Sequence, residues 1–191
     1  MKLNVLRRKA VSAGVRSLGY LRNTFFYFES KVLGINIQLG KNISIGRMVK
    51  VQTTDGGLIV LEDGVSLDDF VYLYAQRGSL IIGKGSYIGV GSQLVAIDSV
   101  KIGEQCLIAA YSVIRDANHG MAKGTGMAKQ NQCAAPILIG NDVWLGSHVV
   151  VTAGCEIGSG AVIGANAVVT KDIPCDCFAA GVPAAVIRER R

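Results

Sequence analysis

Two histidines, His119 and His148, are the only imidazoles in this 191-residue chain. An imidazole, with an ordinary pKa of about 6.5, is well suited to take a proton from a hydroxyl at neutral pH. Asp116 and Asn118 lie within three residues of His119. They are close enough to hold the ring or shape a pocket, although a backbone carbonyl could orient the ring equally well. Five cysteines, Cys106, Cys133, Cys155, Cys175 and Cys177, form an odd set with no C-x-x-C pair and no zinc-type histidine partner. They read as reduced thiols, so the chemistry on offer is acid–base chemistry without a metal.

What must position these groups is a six-residue repeat. From Leu39 onward the chain divides into hexads that open on an aliphatic residue, often followed by glycine, as in Ile88-Gly89, Ile102-Gly103, Ile139-Gly140 and Ile157-Gly158. The hexads run in blocks of three from Leu39, Leu61, Ile82, Ile102, Ile139 and Ile157, and all eighteen first positions are aliphatic. A period of six is neither helical nor simple strand alternation; it predicts triangular coils with short flat sides and tight corners. The fold class is therefore all-β, a left-handed parallel β-helix of about six coils. First positions stack into an inner column, and small or β-branched fifth positions (Val143, Val149, Cys155, Ala161, Ala167) fill the remaining interior.

Extra residues fall between blocks, at 57–60, 79–81, 100–101 and, much the longest, 120–138. The last insertion is too polar to pack as a coil, and solenoid insertions usually sit on a functional face. His119 opens it, whereas His148 occupies a fourth hexad position pointing outward, so His119 is the candidate base. Residues 175–191 read as a C-terminal cap. Residues 1–38 lack the hexad but carry apolar residues at helical intervals, and their seven basic residues against one acidic account for the whole net charge of +6. This segment is expected to be an amphipathic helix that caps the coil stack, meets an anionic membrane surface, or does both. The balanced remainder, 39–191, gives no reason to expect nucleic acid. Without a signal-peptide h-region or a spanning segment, the expected location is cytoplasmic, with peripheral contact at the inner membrane face.

Three motifs follow in order: Ile139-Gly140-Asn141-Asp142-Val143-Trp144-Leu145-Gly146-Ser147, Val169-Thr170-Lys171-Asp172-Ile173-Pro174 and Ala180-Gly181-Val182-Pro183-Ala184. With the Asn118-His119 element before them, the chain resembles the hexapeptide acyltransferases, in particular galactoside and maltose acetyltransferases and the O-acetyltransferases of capsule and O-antigen polysaccharides. The resemblance covers about four-fifths of the chain. It implies a homotrimer with three acetyl-CoA sites between subunits, the loop 120–138 reaching towards its neighbour, and direct transfer in a ternary complex. It implies that His119 is the catalytic base; proximity along the chain makes Asp116 a further catalytic candidate and Asn118 a candidate for the acceptor pocket. Trp144, Ser147, Ala165, Thr170, Lys171 and Arg188 match positions that bind acetyl-CoA, and a backbone N–H of the Leu145-Gly146-Ser147 turn matches the oxyanion donor. Two departures stand out. Ala185 replaces a second CoA-binding arginine, leaving Lys171, Arg190 or Arg191 to substitute, and Gly89 replaces an acceptor-binding asparagine.

The leading expectation is acetylation of a sugar hydroxyl in a bacterial surface polysaccharide or its lipid-linked precursor. The alternatives are an acetyltransferase for a small acceptor such as an antibiotic, and a non-catalytic trimeric scaffold. A γ-type carbonic anhydrase would share the fold but needs three zinc-binding histidines, and the chain has two.

Overall fold

The computed structural model describes residues 26, 28, 30 and 32–190, and the residues from Asn36 onward form a compact unit of their own. Residues 26, 28, 30 and 32 are helical, but 33–36 are turn and coil and Ile37–Leu39 is already a strand, so the helix ends before the boundary expected at 38; the other residues of that segment lie outside the described residues. No helix among the described residues is long and apolar enough to cross a membrane.

Short strands from successive coils pair in parallel into three sheets. The first sheet has six strands, from Ile37–Leu39 to Glu156–Ile157; the third also has six, from Lys50–Thr54 to Val168–Val169. The second has eight, from Ser44–Ile45 through Trp144–Leu145 to Cys177–Ala180 and Ala185–Glu189. Each coil visits the sheets in turn, so the solenoid has six three-sided coils. Neighbouring coils are then about 4.8 Å apart along the axis.

The hexad reading accounts for the core. Seventeen of the eighteen first positions are buried; the exception, Leu39, belongs to the first coil and is half-buried. All five named fifth positions are buried as well. Where serine takes that position, its hydroxyl is satisfied across coils: Ser86 Oγ donates to the Gly103 carbonyl at 2.8 Å and accepts from the Cys106 amide at 2.9 Å. Where glycine holds the second position, close stacking of the next coil leaves no room for a side chain. A Cβ on Gly146 would lie 2.6 Å from the Ala165 nitrogen of the next coil.

Two boundary readings change. The short insertions do not interrupt the coil: Leu58–Leu61, Ser79–Ile82 and Ser99–Ile102 are strands of the first sheet, and Ile59, Leu80 and Val100 add a second buried column there. At the other end, Cys177–Ala180 continues the second sheet in parallel before Ala185–Glu189 folds back on it antiparallel. The backbone edge of Cys177–Ala180 is thereby paired.

All five cysteines are free; Cys133 and Cys175 are exposed, while Cys106, Cys155 and Cys177 are buried. Burial pushes the Cys106 and Cys177 thiols up, further reducing their thiolate fraction. Titration with an aromatic disulfide at pH 8 should therefore find two fast thiols in the native protein and five in guanidinium. A third fast thiol before unfolding would contradict this packing.

Candidate active site

The long insertion is a β-hairpin. Ala117–His119 pairs antiparallel with Gln132–Ala134, placing Ala117 opposite Ala134, Asn118 opposite Cys133 and His119 opposite Gln132. Its tip is a single 3-10 turn at Met127–Lys129, braced by Gln130: Oε1 accepts from the Ala122 amide, and Nε2 donates to the Ala122 and Thr125 carbonyls. Hydrogen bonds from the Gly120 amide to Asn131 O and from the Ala135 amide to Asp116 O mark the closely bonded pairs. By alternation His119 and Gln132 form a non-bonded pair, the geometry that brings facing side chains closest.

This pairing reorders the candidate residues. Side chains alternate across a strand, so Asn118 points to the face opposite His119 and shares it with Cys133. Asn118 therefore cannot line the same side of the hairpin as the imidazole. Gln132, half-buried and directly across from exposed His119, is the polar neighbour that sequence reasoning missed. Only the hairpin register reveals it, and a polar insertion without apolar alternation carries no register signal.

Asp116 is also corrected. Its carboxylate is fully buried, with Oδ1 accepting from the Ile97 amide and Oδ2 from the Asp98 and Ser99 amides, each at 2.8 Å. These bonds hold the preceding corner, not the imidazole. Asp116 anchors the chain at the root of the hairpin and is inaccessible to a substrate.

The remaining candidates fall into two groups on different sides of the prism. His119 follows the third-sheet strand Val113–Arg115 and precedes the first-sheet strand Ile137–Ile139, so it sits at the corner joining those sheets. Exposed Thr170 and Lys171 occupy the same corner two coils further on. Trp144, in contrast, stands on the outer face of the second sheet, 52% exposed, between Leu107 and Val162 in register. Arg188 is on that face too, its guanidinium 5.2 Å from the Phe178 ring centroid. Ser147 and Ala165 stack at the adjoining second-to-third corner, where the Asn166 amide donates to Ser147 O.

Within the Leu145-Gly146-Ser147 turn, the Gly146 amide is committed to Ile163 O at 2.8 Å, while the Ser147 amide donates to no described residue. Ser147 N–H is therefore the donor available for an oxyanion. His148 lies at the same corner, stacked on Tyr111 with ring centroids 5.2 Å apart, remote from the hairpin corner. Of the proposed replacements for the arginine missing at Ala185, Arg190 is already engaged: its Nη1 pairs with Asp142 Oδ2 at 2.8 Å and donates to Gly160 O. Arg191 lies outside the described residues. Lys171 remains exposed. At Gly89 a Cβ would come within 2.7 Å of the Ala110 nitrogen, so the coil spacing itself excludes an asparagine there. Among the described residues no cluster of three or more His, Cys, Asp or Glu could hold a metal ion.

A three-sided parallel β-helix with an imidazole on an inserted hairpin is the architecture of the hexapeptide-repeat transferases. Family models agree: residues 136–171 match the bacterial transferase hexapeptide (six repeats), and residues 79–115 match the hexapeptide repeat of succinyl-transferase. The chain is 42% identical over 119 residues to the galactoside O-acetyltransferase of Escherichia coli K12, covering 61% of this chain and 58% of that protein. It is 32% identical over 162 residues to a putative lipopolysaccharide biosynthesis O-acetyltransferase of the same organism, covering 81% of this chain and 72% of that one. The crystal structure of a polysialic-acid-specific acetyltransferase superposes with a TM-score of 0.59 at 26% identity, covering 81% of this chain and 85% of its own. The chain belongs to the hexapeptide-repeat acyltransferase family, close to its sugar O-acetyltransferases.

Proposed function

We propose that the protein transfers an acetyl group from acetyl-CoA to a sugar hydroxyl of a bacterial surface polysaccharide or its precursor, in a site shared by two copies of a homotrimer. The observation that carries this reading is the division of the candidate residues. In a three-sided coil, the corner holding His119, Thr170 and Lys171 lies opposite the second sheet, which holds Trp144 and Arg188. One copy cannot close its own base onto its own donor face; a neighbouring copy in a closed ring can.

Chemistry follows from the groups available. The acceptor hydroxyl gives its proton to the His119 imidazole as its oxygen attacks the thioester carbonyl carbon. Negative charge gathers on the carbonyl oxygen, where the Ser147 N–H donates a hydrogen bond. Collapse breaks the C–S bond, and the imidazolium returns its proton to the departing thiolate. No acyl-enzyme forms. Trp144 packs on the pantetheine end, and Arg188, joined by Lys171 from the neighbouring copy that brings the base, answers the CoA phosphates. Relatives named for galactoside, lipopolysaccharide and polysialic acid acetylation support a sugar acceptor. The basic segment 1–38 favours an acceptor held at an anionic membrane face.

The test is thiol release from acetyl-CoA over a panel of polysaccharides, lipid-linked sugars, free sugars and aminoglycosides. Release is expected with saccharide chains and not with aminoglycosides. Activity with aminoglycosides alone would move the acceptor to small molecules, and acetyl-CoA binding without transfer to any of them would favour a scaffold.

A further inference from the structure

We propose that the outer face of the third sheet is the acceptor platform and that it takes an acidic polysaccharide chain, a proposal that rests on the acetyl-transfer reading for the fate of the bound sugar. Tyr72 and Tyr74 project from the strand Tyr72–Gln76 with ring planes 9° apart and centroids 6.3 Å apart. Their hydroxyls are tied down: Tyr72 O–H donates to Gln52 Oε1 at 2.9 Å, and Tyr74 Oη lies 2.8 Å from Thr54 Oγ1. Both rings pack against the buried cluster of Val95, Ile97 and Ala117. Two fixed, parallel, half-buried rings offer apolar surface suited to the C–H face of a sugar ring, at little further entropic cost on binding.

Charge selects among sugars. Lys50 Nζ lies 5.7 Å from the Tyr72 centroid, and Arg115 is in register with Val95, which is in turn in register with Tyr74. Neither cation has a carboxylate partner among the described residues, where the two ion pairs are Arg47–Asp69 and Arg190–Asp142. The four third-sheet strands from Lys50–Thr54 to Val113–Arg115 contain no acidic residue. Beyond their ends, Asp55 accepts from Gln76 Nε2, Asp116 is buried on three amides, and Asp98 sits at the corner. An aromatic ridge with an unpaired cation on each side is complementary to a chain of carboxylate-bearing sugars.

Position links this face to the chemistry. Ala117 packs on the platform, and strand alternation puts His119 on the same side of the hairpin as Ala117. Along the axis the platform occupies the earlier coils, His119 follows the fourth, and Ser147, Ala165, Thr170 and Lys171 occupy the fifth and sixth. A chain lying on the tyrosines thus leads to the base from the side opposite the donor.

Calorimetry on the full chain at low salt, with colominic acid, oligogalacturonate and uncharged dextran, tests the proposal. At least one acidic chain is expected to bind saturably, and dextran at least tenfold more weakly. Lys50→Gln/Arg115→Gln should weaken acidic binding about tenfold or more, as should Tyr72→Leu/Tyr74→Leu. Lys84→Gln/Lys101→Gln, which removes the same charge elsewhere, should leave it unchanged. Equal binding of dextran, equal loss in the Lys84/Lys101 variant, or no saturable binding of either acidic chain would overturn the platform. Acetyl-CoA binding, measured in parallel, separates the two readings: its loss in wild type would refute acetyl transfer, whereas its retention without acidic-chain binding refutes the platform alone.

Discussion

His119→Ala is expected to lower kcat/KM for acetyl transfer by about 100-fold or more, the usual cost of removing a general base. Because the side chain is exposed on the hairpin and contributes nothing to the buried core, unfolding temperature and acetyl-CoA affinity should stay near wild type. That combination distinguishes a lost base from a lost fold. His148→Ala, at a different corner, should retain activity within a few-fold. If His119→Ala kept activity within a few-fold, the base would be misassigned. Gln132→Ala should fall between these limits, because a cross-strand neighbour positions the ring without taking the proton.

Asp116→Ala should act on stability. Removing the carboxylate strands the amides of Ile97, Asp98 and Ser99 at a corner where Asp116 and Ile97 are buried. Leaving a buried donor unsatisfied costs about 1–3 kcal/mol; the Ile97 amide is buried and the other two are part-buried, so a loss of about 2–3 kcal/mol is expected, lowering the melting temperature by roughly 5–10 °C. Asp116→Asn should not rescue it fully, since its NH2 group would confront an amide donor. Assayed at low temperature, where the variants are folded, both should keep much more activity than His119→Ala. A loss as deep as that of His119→Ala, with unchanged melting, would restore Asp116 to a direct role in the chemistry.

The β-helix was legible because its period is carried by residue type. An aliphatic residue every sixth position must face inward somewhere, and Ile102, Ile108 and Ile114 do so on three successive faces. The short insertions were misread because the hexad frame gives no place to Ile59, Leu80 or Val100, although the burial of aliphatic residues two positions before each block is the same physics. His119, Trp144 and Lys171 could be named as candidates from motif order, but not assigned to sides of the prism. That required knowing which corner each insertion leaves. The surroundings of Asp116 and Asn118 were hidden for a local reason: proximity along a strand is not proximity of side chains, and alternation turns Asn118 away from His119 while pairing brings Gln132 to it. A buried carboxylate that satisfies amides of the previous coil leaves no trace in spacing.

A site completed by a second copy can be tested directly by subunit mixing. His119→Ala and Trp144→Ala trimers, each nearly inactive, are unfolded together, refolded as a mixture and assayed for thiol release. If base and donor face come from neighbouring copies, a random mixture contains intact sites built from the unmutated side of each variant, and about a quarter of wild-type activity should return. Activity no higher than the sum of the separate variants, in mixed trimers verified by mass, would contradict the shared site.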